Sequence, residues 1–289
     1  KIKTKLAVSE AAEFNFLYKN EVKHPTNSNQ IEWFLDSTSK FYLGDLSRAE
    51  KMISGHSYFT TWPVEKMLDT RQKLALKMKA VNPEYQLWQS EYCILGKNDD
   101  IKGGNKRDLG MSTALFVARV MHYDLTVANA SSWQWWTALS QCNYKDGLIY
   151  LDMGNDGIAS QDHIDNDSLK YNGNFHDSKL MWAVGNYSRF IRPGYSRVEV
   201  NINDHLTELQ RAKDIMVSGY VSPAKDQLIM VAVNYSEEDK CLDLSSMNGN
   251  NRIIHTYTTS DNCNLKHQSV LCKKARIKAR SVVTLLLEL

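Results

Sequence analysis

The residues best able to do chemistry stand at the end of an apolar run, Gln86-Leu87-Trp88-Gln89-Ser90-Glu91-Tyr92, where a carboxylate is set between a serine and a tyrosine. Such a run reads as a buried strand whose last residue emerges at the strand end, the place where parallel-barrel enzymes keep their catalytic groups. Glu91 is the candidate nucleophile. A second aromatic strand end follows in Ala128-Asn129-Ala130-Ser131-Ser132-Trp133-Gln134-Trp135-Trp136. Flat apolar rings beside a carboxylate suit a sugar ring, so the two stretches together suggest a carbohydrate-active site.

Strand alternation sends Trp133 and Trp135 to one side and Trp136 to the other, so at most two indoles share the mouth. Trp133 is the first choice for stacking, with Trp135 beside it, although indoles in such a run also serve as core. Gly55-His56-Ser57-Tyr58-Phe59 offers an imidazole and a phenol at another strand end. His56 there can hold a structural hydrogen bond or touch a sugar hydroxyl, and Tyr58 joins it as a substrate-binding candidate. Glycoside cleavage with retention needs a second carboxyl about 5–5.5 Å from the first, to protonate the leaving oxygen. Glu10 closes another short run, Lys3 to Glu10, but a hydrogen-bonded or salt-bridged supporting residue is the better reading of it.

Elements must exist to carry these groups. Lys3 to Glu10, Met52 to Phe59, Gln86 to Glu91 and Leu125 to Ala130 read as strands. Between them Ile31 to Tyr42, the stretch from Pro63 to Pro83 with Val64, Met67, Leu68, Ala75 and Met78 at helical spacing, and Met111 to His122 read as helices. The order is that of successive βα units; four are present, and a closed barrel needs eight. A polar excursion from Tyr144 to Lys179 precedes a helix over Leu180 to Ile191, which Pro193-Gly194 stops. From Arg197 onward short β-rich runs at 198–201, 215–221, 228–235, 253–257 and 281–287 predict an antiparallel sandwich. The expected fold class is thus α/β plus all-β, with residues 1–194 forming one domain and 195–289 a β-sandwich.

Composition excludes several classes. The 289 residues are 43% hydrophobic with a formal charge of +2, so no nucleic acid or anionic membrane partner is called for. The basic run Lys273 to Arg280 alternates as a strand with one solvated cationic face. Cys93, Cys142, Cys241, Cys263 and Cys272 form no Cys-x-x-Cys pair, so neither a zinc site nor a disulfide framework is expected; one bond among the last three is left open. No cofactor or metal is expected. Asp152 to Gly157 resembles a calcium loop but has His163 at the twelfth position, where a carboxylate is needed. Residues 55–59 lack the last glycine of a nucleophile elbow, and the Asn129, Asn186 and Asn234 sequons read as chance matches.

Five pieces occur together and in order: Gly55-His56-Ser57-Tyr58-Phe59-Thr60, Trp88-Gln89-Ser90-Glu91-Tyr92, Ser131-Ser132-Trp133-Gln134-Trp135-Trp136, Asp146-Gly147-Leu148-Ile149-Tyr150, and Gly185-Asn186-Tyr187-Ser188-Arg189-Phe190-Ile191-Arg192-Pro193-Gly194. In these the chain resembles the glycoside hydrolases of family 30, in particular bacterial endo-β-1,6-galactanases. The resemblance implies a (β/α)8 TIM barrel with a side β-sandwich, retaining hydrolysis of a β-linked polysaccharide of galactan type, and Glu91 as the nucleophile on strand seven. It also implies that the chain starts at strand five. The family's acid/base glutamate follows an asparagine at the end of strand four, usually before a proline. The nearest string here, Asn20-Glu21-Val22, lies in a polar loop after strand five, so the role does not pass to Glu21.

On that reading the 289 residues are the C-terminal half of a periplasmic or secreted enzyme, processed or cut from something longer. The acid/base lies upstream of residue 1, and the segment alone is expected to be inactive. Its open sheet edges call for the N-terminal half of the barrel, from the same parent protein or a companion chain, besides the oligo- or polysaccharide substrate. The alternative is a non-catalytic carbohydrate-binding or scaffold protein that keeps the aromatic surface without the acid/base.

Overall fold

The computed structural model describes residues 3–152, 174–245, 247 and 252–289. The expected calcium-like loop falls on residues outside these, apart from the backbone of Asp152. By compactness the chain divides into two units, Lys1–Gly104 with Tyr123–Trp136, and Asn105–His122 with Thr137–Leu289.

The first unit is built on a three-stranded parallel sheet in the order β1 (Met52–His56), β2 (Gln86–Glu91), β3 (Ala130–Trp133). Ile53, Leu87 and Ala130 stand level across the three strands, and this row is covered by α1 (Phe14–Tyr18), α2 (Gln30–Leu35) and α3 (Val64–Val81). Phe14, Leu17, Ile31, Leu35 and Leu74 close the core between them. Each such side chain, taken fully out of water, contributes roughly 1.5–3 kcal/mol. The covered face explains why β1 and β2 appear in sequence as apolar runs, and why α3 carries Val64, Met67, Leu68, Leu74 and Met78 on one side.

Three expectations need correction here. Residues 3–10 form no strand of their own: the segment touches the chain around β1 through isolated parallel bridges, Leu6 to Ala49 and Ala11 to Gly55. Side chains take the intervening bonds, because Ser9 Oγ donates to the Ser54 carbonyl and Ser54 Oγ to that of Ser9. The helix expected to reach Tyr42 ends at Leu35, since Asp36 turns the chain by accepting from the amide and hydroxyl of Thr38, both at 2.8 Å. The strand expected at Leu125 begins only at Ala130. Leu125 and Thr126 extend the preceding helix, α4 (Met111–Thr126), and Asn129 in the left-handed region (φ 59°) makes the turn into β3.

The second unit holds a small sheet of β4 (Leu139–Ser140), β5 (Ile149–Asp152) and β6 (Asn174–Asp177), then α5 (Lys179–Ser188), β7 (Ser196–Val198) and α6 (Glu208–Arg211). An antiparallel run follows: β8 (Ile215–Val221), β9 (Gln227–Asn234), β10 (Lys240–Asp243), β11 (Arg252–Ser260), β12 (Cys263–Cys272), β13 (Lys274–Ile277) and β14 (Ser281–Glu288). Six strands pair in the order β12-β11-β14-β9-β8-β7, and β10 pairs with β13 in a separate ribbon whose Ala275 and Ile277 share one core with Val217, Met230 and Leu285. The edge strand β12 was invisible to apolar patterning because most of its residues are exposed. The basic run behaves as expected: Ala275 and Ile277 point inward, while Lys274 and Arg276 face outward and pair with Asp243 and Asp239. None of the five cysteines is joined to another by a disulfide. Among the described residues no helix is long and apolar enough to cross a membrane.

Candidate active site

The C-terminal ends of the three parallel strands bring His56, Glu91 and Trp133 to one edge of the first unit's sheet. Gly55 pairs with Gln89, but His56 pairs with Glu91, so a bulge takes up Ser90 and sets the imidazole level with the carboxylate. Gly55 is needed just before the bulge, because a Cβ there would lie 3.0 Å from Leu17 Cδ1 and 3.4 Å from the Cβ of Ala11.

Glu91 is about one third exposed, at 35% of its side chain, whereas His56 is held at 14%. Glu91 Oε1 accepts a 2.7 Å hydrogen bond from the hydroxyl of Tyr58 and lies 3.8 Å from His56 Nδ1. Burial first, and then the bond to Glu91, push the Tyr58 phenol well above the ordinary tyrosine range, so it serves as a neutral donor. On its other side His56 Nε2 meets Glu10 Oε1 at 2.7 Å. Glu10 also accepts from Ser90 Oγ and, at 3.3 Å, from Ser54 Oγ. Glu10 is thus tied into a hydrogen-bonded group that supports the imidazole, as expected of a supporting residue.

Aromatic rings continue from the carboxylate in an unbroken row. His56 meets Tyr58 edge-on at 5.3 Å, Tyr58 lies 5.9 Å from Tyr92, and Tyr92 meets Trp135 edge-on at 5.7 Å. Trp135 in turn stacks on Trp133 at 6.1 Å with 15° between the planes. These are the two indoles that strand alternation places on one side, and Trp136 stands apart, half exposed. Backbone bonds hold the chain after β3 against β2 and the residue that follows it: Gln134 donates to the Gln89 carbonyl at 3.0 Å and Trp136 to that of Tyr92 at 2.9 Å. Tyr92 also borders a cavity of about 250 Å³ that Phe59, Trp62, Leu95 and Lys97 help to line.

A buried network lay outside the sequence reading. Asp124, in the last turn of α4, has no exposed side-chain surface and accepts from Arg71 Nε at 2.8 Å, Ser57 Oγ at 2.8 Å and Trp133 Nε1 at 2.9 Å. Arg71 Nη1 reaches on to the carbonyl and hydroxyl of Thr60. The signal was present: Arg71 continues the 64, 67, 68, 74, 78 spacing of the buried side of α3, and a charged residue at such a position needs a buried partner.

A partly exposed carboxylate steadied by a phenol and an imidazole, with a row of rings beside it, can attack or stabilise an electron-poor carbon of a bound ring. Among the described residues no cluster of three or more His, Cys, Asp or Glu side chains could hold a metal ion. The family model for O-glycosyl hydrolase family 30 matches residues 1–150, just over half of the chain and the part that holds every group described above. This chain belongs to glycoside hydrolase family 30.

Solved structures similar to this family 30 chain include a conserved exported protein from Bacteroides fragilis, at 28% identity and a TM-score of 0.86, covering 99% of this chain and 56% of that one. A GH30 endoxylanase from Clostridium papyrosolvens C71 matches at 16% identity and TM-score 0.60, covering 100% of this chain and 57% of that one. The catalytic domain of GH30 xylanase C from Talaromyces cellulolyticus matches at 15% and 0.61, covering 99% and 52%. At those identities the two xylanases show the shared fold alone. The chain spans little more than half the length of each of these structures. No curated protein matches it.

Proposed function

We propose that this chain carries the nucleophile of a retaining glycosidase, and that Glu91 is that nucleophile. The observation that carries the reading is the Glu91 carboxylate at a parallel strand end, hydrogen-bonded by Tyr58 and flanked by His56, with the row Tyr92, Trp135 and Trp133 leading away from it. Glu91 attacks the anomeric carbon as the glycosidic bond breaks, and a glycosyl ester on its carboxylate is then hydrolysed with net retention. The leaving oxygen takes its proton from a second carboxyl, which on this reading belongs to a part of the barrel outside these 289 residues.

The proposal extends to architecture and substrate. The three parallel strands and the bridged segment before them are the second half of a (β/α)8 barrel, the antiparallel strands after residue 194 are its side sandwich, and the missing half is the partner. His56, Tyr58, Trp133 and Trp135 bind a β-linked polysaccharide, with galactan favoured. Export of the protein fits both a polymeric substrate and the name of the Bacteroides fragilis structure.

The test uses the complete protein and β-1,6-galactan beside other β-glycans. Glu91→Gln is expected to lower kcat by a factor on the order of 10⁴ or more, the scale on which removal of a covalent nucleophile acts. A 2-deoxy-2-fluoro glycosyl fluoride should label Glu91 and no other residue in a peptide digest. Unchanged turnover in the variant, or a label on another carboxylate, would overturn the assignment.

A further inference from the structure

The buried carboxylate of Asp124 is placed where a helix least favours one. It lies in the last turn of α4, at the negative end of the helix dipole, with no exposed surface. Arg71 Nε on Oδ1 accounts for charge, but Oδ2 does different work. It accepts from two groups at two strand ends: Ser57 Oγ after β1 and the indole Nε1 of Trp133 at the end of β3.

These two bonds reach both halves of the candidate site. A tryptophan ring has a soft second torsion, so nothing in the covalent chain fixes its plane. A 2.9 Å bond to a buried carboxylate is charge-assisted, and it fixes the Trp133 indole in the plane in which Trp135 stacks on it. On the other side Ser57, Thr60 and Arg71 pin the turn 57–60 from within: Thr60 Oγ1 donates to the Ser57 carbonyl at 2.9 Å, and Arg71 Nη1 donates to Thr60 Oγ1 at 3.0 Å. Tyr58, the donor to Glu91, rides on that turn.

We propose that Asp124 is a positioning residue that orients Trp133 for sugar stacking and, through Ser57, steadies the turn that carries Tyr58. The proposal rests on the carbohydrate reading above for the sugar, but not for the orientation of the ring. Asp124→Asn keeps the shape and puts an amide N–H where a donor already points, so either Arg71 or the Ser57–Trp133 pair loses its acceptor.

The experiment has two readouts. In the wild-type protein the Trp133 indole N–H, assigned by its loss in Trp133→Phe, should exchange with solvent at least 10-fold more slowly than that of the half-exposed Trp136. Asp124→Asn should shift that resonance and speed its exchange. For binding, β-1,6-galactotriose is titrated into wild type, Asp124→Asn, Trp133→Phe and the double variant. Each single change is expected to weaken binding about 10-fold, and the double by no more than about 10- to 20-fold, because the two act through one bond.

Effects that multiply in the double variant, or an Asp124→Asn protein that binds as well as wild type, would overturn the proposal. So would a Trp133 N–H that exchanges as fast as that of Trp136, a result readable even if Asp124→Asn does not fold. Should wild type bind no oligosaccharide, the carbohydrate reading falls, and the exchange measurement still decides whether Asp124 holds the ring.

Discussion

The hydroxyl of Tyr58 donates to Glu91 Oε1 at 2.7 Å, across the ends of two neighbouring parallel strands. The bond joins a residue of the turn after β1 to the last residue of β2, so it reports directly on how well the site is assembled.

Tyr58→Phe removes that donor and little else, because the ring keeps its contacts with His56 and Tyr92. A hydrogen bond to a charged group is worth roughly 1.5–3 kcal/mol, so kcat/KM of the complete enzyme should fall about 10- to 100-fold. Burial raises the phenol pKa, so the stability it contributes is complete below the ordinary tyrosine range and is lost as pH rises through the raised value. In a tyrosinate absorbance titration the band near pH 10 should therefore be the same in wild type and variant. A smaller band near pH 10 in Tyr58→Phe would show that the phenol is not shielded.

Gly55→Ala tests whether the bulge geometry matters. The new methyl would sit 3.0 Å from Leu17 Cδ1, tighter than an ordinary contact, and Leu17 is fully buried. Overpacking of this kind costs about 1–3 kcal/mol. Because the next residue is His56, the same shift should move the imidazole away from its level with Glu91. Urea unfolding should show the lower midpoint, and kcat should drop along with it. A stability loss with unchanged kcat would mean that the register of His56 is not needed.

Much of this was legible in the sequence because a single physical signal set it. The strands β1 and β2 read as apolar runs because Ile53 and Leu87 are covered by helices, and Glu91 closes β2 partly exposed. Elements set by local polar chemistry were not legible. Asp36 stops a helix with its own side chain, Ser9 and Ser54 replace ladder bonds, and the edge strand β12 has no apolar alternation to betray it. In the site, Glu91, His56, Tyr58, Trp133 and Trp135 were visible by type and position. Arg71 shows in the sequence only as a charge on the buried side of a helix and Asp124 not at all, since their pairing is a contact between residues 53 positions apart.

His122 sets a pH dependence in the second unit. It is buried in α4, and desolvation first, with the positive charges of Arg211 and Arg197 adding to it, lowers its pKa from 6.5 to about 3. The unfolded chain therefore binds a proton that the folded one refuses between those values. The stabilising contribution is complete above about pH 6.5 and is lost as pH falls toward 3, a change of several kcal/mol at most, about 1.4 for each pH unit. His122→Gln should flatten the fall in unfolding free energy between pH 6.5 and 4 relative to wild type. Parallel slopes in the two proteins would show that the imidazole takes up its proton while folded.

Arg71→Met separates the stability of the buried ion pair from its function. Both side chains are wholly inaccessible, so removing the guanidinium strands Asp124 without its cation and takes the donor from the Thr60 carbonyl. Breaking such a pair costs about 3–5 kcal/mol, whereas replacing both partners by apolar groups of similar size is often close to neutral. Arg71→Met should therefore unfold at a markedly lower denaturant concentration, and Arg71→Met with Asp124→Leu should recover much of that loss. Oligosaccharide affinity should fall in the double variant below that of Arg71→Met, because Asp124→Leu takes the acceptor from Trp133 Nε1 and Ser57 Oγ. If stability returned and affinity stayed at the wild-type level, the network would be holding the fold and nothing more.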